Sequence, residues 1–237
     1  MLKWFVDYNW YGNDDWWYTY PVVGETYDGF LNDIYGFHVT EKHVLGAIKN
    51  AKSGPVTEGN VGGGTGMLTL GFKGGIGTSS RICKTEYGQY TIGVMTLTNT
   101  GDPREFRIDG MRLGRELRPP EDQFDPTKAG GSIMIIVATD APIDARQLGR
   151  VGKRAALGLA RAGGIADHSS GDFIMAFSNS TAQPTLDDPA LTPLFRGTIE
   201  ATEEAIANSV LRADTLTGRD GNTRHGIPIN EVKRLIT

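Results

Sequence analysis

The stretch that most constrains the fold is a glycine pair that leads directly into a serine and an apolar run. Gly130 and Gly131 precede Ser132, and residues 133–137 are all apolar and mostly β-branched. A short run that is apolar at successive positions is typical of a strand buried on both faces. We therefore expect a core strand that begins at Ser132, preceded by two residues without side chains and with a permissive backbone.

The Gly131–Ser132 bond has the residue types of a self-cleaving peptide bond. A serine hydroxyl is a weak nucleophile without a base in hydrogen-bond reach, and its own α-amine can be that base once the preceding bond is cut. Glycine has no Cβ to block attack of the hydroxyl on the preceding carbonyl, and it tolerates the strain of the attack. The same residues also fit an ordinary glycine-rich turn before a strand, so other stretches must decide.

Length and composition indicate one compact globular domain over residues 1–237. The 39% apolar and 22% charged fractions are those of a soluble globular protein, and 32 glycines favour tight turns over a helical bundle. A net charge of −4 gives no electrostatic case for nucleic acid or an anionic membrane as partner. The sequence shows no charged leader before an apolar core and no apolar run of membrane-spanning length, so we expect a cytoplasmic protein.

No metal or cofactor site is expected. Cys83 is the single cysteine, which excludes an intrachain disulfide. The four histidines have no metal-ligand spacing: His38, His43, His168 and His225. Glycine clusters at residues 58–66 and 71–81 match neither common phosphate-loop pattern. Their backbone amides could instead line a pocket for a substrate carbonyl or carboxylate.

Helical and strand-like segments are interspersed along the chain. One helix is predicted after Thr40, a second after Asp144 up to the glycines at 163–164, and a third at about residues 198–212. Strands are predicted at residues 67–72, 90–97, 106–108, 133–138 and 173–177. This mixture predicts layers of sheet covered by helices.

Three further groups are each ambiguous when taken alone. Asn99, at a strand end, has an amide that could donate to an oxyanion, although asparagine there usually forms a turn. Residues 168–172 put hydroxyls and a carboxylate at the mouth of a strand, where they could hold an ammonium group or cap a turn. The first twenty residues hold all four tryptophans and four tyrosines, which suit a ligand platform or, more often, a core or an oligomer contact.

Taken together, five stretches resemble the L-aminopeptidase/D-esterase family, whose members include DmpA-like enzymes and β-peptidyl aminopeptidases. They are residues 58–66, 71–81, 131–133, 169–172 and 217–221, in the family's order. The resemblance runs from about Pro21 to the C-terminus. It implies a four-layer α/β/β/α sandwich of the type shared with ornithine acetyltransferase. It also implies a precursor that cuts itself after Gly131 into an α chain (1–131) and a β chain (132–237), which stay associated.

The resemblance also implies roles for individual residues. Ser132 would be the new N-terminal nucleophile, with its α-amine as the general base. Asn99 would stabilise the oxyanion, and Ser170 and Asp172 would support the nucleophile and the substrate amine. Tyr27 would lie near the scissile carbonyl. The implied activity is removal of N-terminal residues from small peptides, amides or esters through an acyl-enzyme, with an anionic Asp172 favouring a free ammonium terminus.

One departure leaves alternatives open. Family members carry a sizeable N-terminal segment before the matched part, and this sequence starts without it, so a catalytically inactive fragment or scaffold is a second hypothesis. An acyltransferase of the ornithine acetyltransferase kind is a third, although that family would place a threonine at Ser132. The resemblance suggests a homo-oligomer, and the sequence does not indicate a preference among L-, D- and β-amino acids.

Overall fold

The structure, a computed structural model, describes residues 2–7, 21–119 and 131–236. The strands in chain order are β1 (Leu68–Thr69), β2 (Phe72–Lys73), β3 (Ile76–Thr85), β4 (Gly88–Asn99), β5 (Ser132–Thr139), β6 (Gly171–Ser178), β7 (Leu216–Thr217) and β8 (Thr223–Arg224). The α-helices are α1 (Leu2–Asp7), α2 (Glu41–Lys49), α3 (Ala145–Ala162), α4 (Thr192–Leu211) and α5 (Ile229–Ile236).

A four-stranded mixed sheet in the order β3-β4-β5-β6 is the centre of the fold. β3 and β4 form an antiparallel hairpin, β4 pairs antiparallel with β5, and β5 pairs parallel with β6. β5 is therefore an inner strand, as its apolar sequence predicts. Ile133 and Ile135 are fully buried, and Met134 is nearly so.

Helices α3 and α4 cover one face of this sheet and pack against each other. Asp144 caps α3, because its Oδ1 accepts from the Gln147 amide at 2.7 Å, and Gly163 ends the helix in the left-handed region at φ 109°. The two helices approach closely at Gly158, where an added Cβ would lie 2.5 Å from the Ile199 carbonyl oxygen. The core lies between the helices and this face of the sheet.

The opposite face of the sheet has exposed apolar side chains. Cys83 on β3 and Ala176 on β6 face the helices, so the alternation of side chains along a strand turns Ile82, Phe173 and Phe177 to the other face. Ile82 is 72% exposed, Phe173 62% and Phe177 49%. The described residues thus form one helix layer and one sheet layer. The face of the sheet away from the helices has exposed apolar side chains on its two edge strands, β3 and β6.

The predicted mixed α/β class is confirmed, and most predicted elements are present. α2 and α3 begin where their capping residues predict, whereas α4 begins at Thr192, before the predicted residue 198. Leu194 in the additional turn is fully buried. Its burial in the core accounts for the longer helix, because packing outweighs local propensity.

Two strand predictions were wrong, and one strand was not predicted. Residues 67–72 are not one strand, because Leu70 and Gly71 have positive φ (52° and 83°) and turn the chain into the β1–β2 hairpin. Residues 106–108 contain only an isolated bridge between Ile108 and Met111. The strand without a prediction is β3, which begins inside the glycine cluster at residues 71–81. The aromatic cluster predicted in the first twenty residues falls largely outside the described residues.

Candidate active site

The ends of three neighbouring strands bring the candidate residues to one edge of the sheet. Asn99 is the last residue of β4, Ser132 the first of β5 and Gly171 the first of β6. The pairing register sets Asn99 opposite Ser132 and Ser132 opposite Gly171. Because β4 runs opposite to the other two strands, its C-terminal end meets their N-terminal ends. Residues far apart in the sequence therefore form one row.

The Ser132 hydroxyl lies against the peptide bond that precedes it. Its Oγ donates to the Gly131 carbonyl oxygen at 2.6 Å, and the same oxygen accepts from the Gly171 amide at 3.0 Å. A Cβ on Gly131 would lie 2.8 Å from Thr100 Oγ1 and 3.0 Å from Thr100 Cα. The backbone at residue 131 therefore occupies a space that suits glycine, with its carbonyl held by a backbone donor.

The Asn99 amide is held at both ends. Its Oδ1 accepts from the Leu68 amide at 3.0 Å, and its Nδ2 donates to the Tyr27 carbonyl at 2.8 Å. These two partners set which end of the side chain is the donor. A carboxamide nitrogen has two protons, so within residues 2–7, 21–119 and 131–236 one N–H of Asn99 remains for a further acceptor. Asn99 is thus a preoriented hydrogen-bond donor beside Ser132.

Ser170 and Asp172 form a pair next to this row. Ser170 Oγ donates to Asp172 Oδ1 at 2.6 Å, a length typical of a hydroxyl bonded to a carboxylate. The register sets Asp172 opposite Ile133, one position beyond Ser132. Among the described residues no hydrogen bond joins this pair to Ser132, although the pair lies at the same strand ends.

Tyr27 contacts the site through its backbone. Its carbonyl accepts the Asn99 bond, while the side chain is 64% exposed. A Cβ on Gly29 would lie close to the phenol oxygen, so the ring folds back over its own segment. The main chain of Tyr27 thus contacts Asn99, and the role expected for its side chain stays a prediction.

Comparison of the sequence with known families identifies its relatives. The family model described as Peptidase family S58 matches residues 1–224. This match covers almost the whole chain and begins at residue 1, ahead of the resemblance that runs from about Pro21. The chain belongs to peptidase family S58.

Two curated S58 relatives are β-peptidyl aminopeptidases named BapA. The protein from Sphingosinicella microcystinivorans is 43% identical over 259 residues, an alignment that covers 100% of this chain and 64% of the relative. The protein from Sphingosinicella xenopeptidilytica is 41% identical over 238 residues, an alignment that covers 91% of this chain and 59% of that relative. The chain thus spans less than two thirds of the length of these relatives.

Solved structures agree with the S58 assignment. L-aminopeptidase D-Ala-esterase/amidase from Ochrobactrum anthropi, described as a variant of the Ntn hydrolase fold, superposes with a TM-score of 0.87 at 36% identity over 99% of this chain and 68% of that one. The PH0078 protein from Pyrococcus horikoshii OT3 superposes with a TM-score of 0.79 at 44% identity over 88% of this chain and 60% of that one. The likeness confirms the α/β sandwich class.

Three groups close to the candidate residues were not singled out in the sequence analysis. They are the backbone amides of Leu68 and Gly171 and the buried side chain of Lys73. Backbone amides leave no mark in a residue pattern. Lys73 lies inside the glycine cluster at residues 71–81, and a lysine between apolar and glycine residues could have indicated a buried cation. Its burial lowers the pKa of the Lys73 ammonium to about 8.

The part of the chain that the structure describes contains neither a metal-binding cluster nor a membrane-spanning helix. In residues 2–7, 21–119 and 131–236, no three His, Cys, Asp or Glu side chains are grouped so that they could hold a metal ion. In the same ranges, none of the helices combines the length and the apolar character needed to cross a membrane.

Proposed function

We propose that this chain is a self-processing N-terminal-nucleophile aminopeptidase that removes N-terminal residues from small peptides, amides or esters. The observation that carries the proposal is the contact of Ser132 Oγ with the Gly131 carbonyl oxygen at 2.6 Å, in a row with Asn99 and Gly171. Membership of peptidase family S58 gives the reaction class. The names of the relatives, β-peptidyl aminopeptidase and L-aminopeptidase D-Ala-esterase/amidase, support an amino-terminal substrate.

The first reaction is cleavage of the chain's own backbone. Ser132 Oγ attacks the Gly131 carbonyl carbon, and the bond from that carbon to the Ser132 nitrogen breaks, which leaves an ester on the hydroxyl and a free α-amine. Water hydrolyses the ester and releases the Gly131 carboxylate. The Gly171 amide, already bonded to the Gly131 oxygen at 3.0 Å, is oriented to stabilise the negative charge that develops there.

The second reaction uses the new terminus as a catalyst. The Ser132 α-amine takes the hydroxyl proton as Oγ attacks the substrate carbonyl, and the same proton passes to the leaving amine as an acyl-enzyme forms. The remaining N–H of Asn99 stabilises the substrate oxyanion. The shortened substrate departs as this leaving amine, and water then hydrolyses the acyl-enzyme, which releases the N-terminal residue as a free acid and regenerates the serine.

Ser170, Asp172 and Tyr27 complete the proposed site. The Asp172 carboxylate, bonded to Ser170 at 2.6 Å, supplies negative charge near the α-amine of Ser132 and the ammonium group of the substrate. Tyr27 acts through its carbonyl, which holds the Asn99 amide. The two products of self-cleavage stay associated because β5 of the second chain is paired with β4 of the first along its whole length.

Denatured intact mass of the purified chain, beside a Ser132→Ala control, tests the proposal. We expect two polypeptides, residues 1–131 and 132–237, in the unmodified protein and one uncut chain in the control. The cut protein should release 4-nitroaniline from alanine or glycine 4-nitroanilide. A single uncut chain without hydrolysis would favour the alternative of an inactive scaffold, whereas transfer of an acetyl group to ornithine would favour the acyltransferase.

Location and assembly follow from the same proposal. We place the enzyme in the cytoplasm as a homo-oligomer, without nucleic acid or membrane partners. The open apolar sheet face, where Phe173 is 62% exposed, supports association of some kind, because large exposed apolar patches usually mark contact surfaces.

A further inference from the structure

Lys73 is a buried cation that joins the two ends of a glycine-rich loop. Its side chain is fully buried, and its Nζ donates to the Gly64 carbonyl at 3.0 Å and the Gly74 carbonyl at 2.7 Å. These two carbonyls lie at either end of residues 64–74, here called the 64–74 loop. An ammonium group with two carbonyl acceptors is a strong cross-link, because hydrogen bonds from a charged donor are stronger than neutral ones.

Both groups that hold the Asn99 amide depend on this loop. Leu68, inside the loop, donates its amide to Asn99 Oδ1 at 3.0 Å. The Tyr27 carbonyl accepts from Asn99 Nδ2, and the residues on either side of Tyr27 contact the loop at two points. Thr26 Oγ1 contacts Met67 Sδ at 2.5 Å, and Asp28 lies so close to Gly66 that a Cβ there would be 2.6 Å from Asp28 Cβ.

We propose that Lys73 is a positioning residue for Asn99, and that it holds the 64–74 loop so that the Asn99 amide presents one N–H to the oxyanion. The catalytic consequence rests on the proposed function. Lys73 itself touches no reacting atom. Other contacts of the loop, such as the bond from the Gly74 amide to the Met67 carbonyl at 3.1 Å, remain when the lysine is removed. Its loss therefore loosens the loop and leaves the sheet intact.

A double-mutant cycle separates this role from a general structural one. Lys73→Met should lower kcat for alanine 4-nitroanilide by roughly tenfold or more with KM changed less than about threefold, since small displacements of a catalytic group cost rate. In an Asn99→Ala background the same substitution should have no further effect. An equal loss in both backgrounds would overturn the proposal. Lys84→Met, at an exposed position on β3, is the matched control and should leave kcat unchanged.

A second measurement does not depend on activity. In the uncut Ser132→Ala chain, the side-chain amide protons of Asn99, assigned by their absence in Asn99→Asp, should exchange slowly with solvent. Lys73→Met, and Lys73→Gln if the methionine variant does not fold, should accelerate this exchange by about tenfold or more, while Lys84→Met should not. Unchanged exchange would overturn the positioning role. If the unmodified chain is uncut and inactive, the proposed function fails, and the exchange rates still decide the role of Lys73.

Discussion

At the scale of single residues, position 131 has room for glycine alone. A Cβ there would lie 2.8 Å from Thr100 Oγ1, which is closer than real Cβ contacts allow. We expect Gly131→Ala to slow self-cleavage by about tenfold or more, because the shifted carbonyl loses its alignment with Ser132 Oγ and the Gly171 amide. The crowding should also cost about 1–3 kcal/mol of unfolding free energy.

The rate of appearance of the two fragments in intact mass measures this effect. Gly46→Ala is the control, since Gly46 lies in the exposed helix α2 and an added Cβ there meets nothing within 4 Å. That variant should cut at the unmodified rate. Cleavage of Gly131→Ala at the same rate as the control would contradict the steric argument.

A second prediction for a single residue concerns pH and Lys73. Burial lowers the pKa of Lys73 from 10.5 to about 8 in the folded protein, so between these values the unfolded chain binds more protons than the folded one. The free energy of unfolding should therefore rise with pH across this window. The contribution of neutral Lys73 to the free energy of unfolding is fully present above about pH 10.5. It is lost as pH falls to about 8, and the total change is on the order of 3 kcal/mol.

Urea unfolding between pH 7 and 10.5 tests this dependence. Lys73→Met should be less stable than the unmodified protein, because the Gly64 and Gly74 carbonyls lose their donor, and should lack the Lys73 part of the slope. The difference between the two proteins should consequently widen as pH rises. If the unfolding free energies of the two proteins change in parallel with pH, the pKa of Lys73 is not lowered in the folded state.

At the scale of elements, the close packing of α3 on α4 depends on Gly158. An added Cβ would lie 2.5 Å from the Ile199 carbonyl oxygen and 2.6 Å from Thr202 Cβ. Gly158→Ala should therefore destabilise the protein by about 2 kcal/mol, because the helices must separate. Gly149→Ala on the same helix meets nothing within 4 Å and should stabilise it by up to about 1 kcal/mol.

Urea denaturation of the two variants makes the comparison direct. Both substitutions are glycine to alanine in α3, so the intrinsic helix propensity changes equally and only the packing differs. Similar stabilities for the two would indicate that the helices can move apart without loss.

At the scale of the whole molecule, the open sheet face is the feature with the largest consequence. Phe173 and Phe177 lie on the same side of β6 and are 62% and 49% exposed. We expect the purified chain to bind an apolar dye such as ANS and to self-associate. Replacing both phenylalanines with serine should reduce both effects and change the free energy of unfolding by no more than about 0.5 kcal/mol each.

Size-exclusion chromatography and dye fluorescence measure the outcome. Ile174→Ser is the matched control, because Ile174 lies between the two phenylalanines and packs against the core beneath α3. This variant should lose about 2 kcal/mol or more. If the double serine variant binds as much dye as the unmodified protein, the dye binds an apolar surface other than the one that Phe173 and Phe177 form.

Local sequence determined the elements whose cause is local. The cap at Asp144, the glycine at 163 and the apolar run after Ser132 define α3 and β5, because capping bonds and burial patterns act over a few residues. The sequence did not predict the turn at Leu70–Gly71, because leucine rarely adopts a positive φ. The sequence also did not predict β3, because its glycines and serines are typical of a loop and the strand depends on pairing with β4.

The candidate site was determined by the sequence only in part. The residue types at Ser132, Asn99 and Asp172, together with the resemblance to a peptidase family, were sufficient to name the candidates and the reaction. Their arrangement depends on the register of β4, β5 and β6, which pairs residues far apart in the chain. Only the tertiary structure decided that Leu68 and Tyr27 orient the Asn99 amide and that Lys73 is buried, because backbone donors and burial arise from packing that no local pattern encodes.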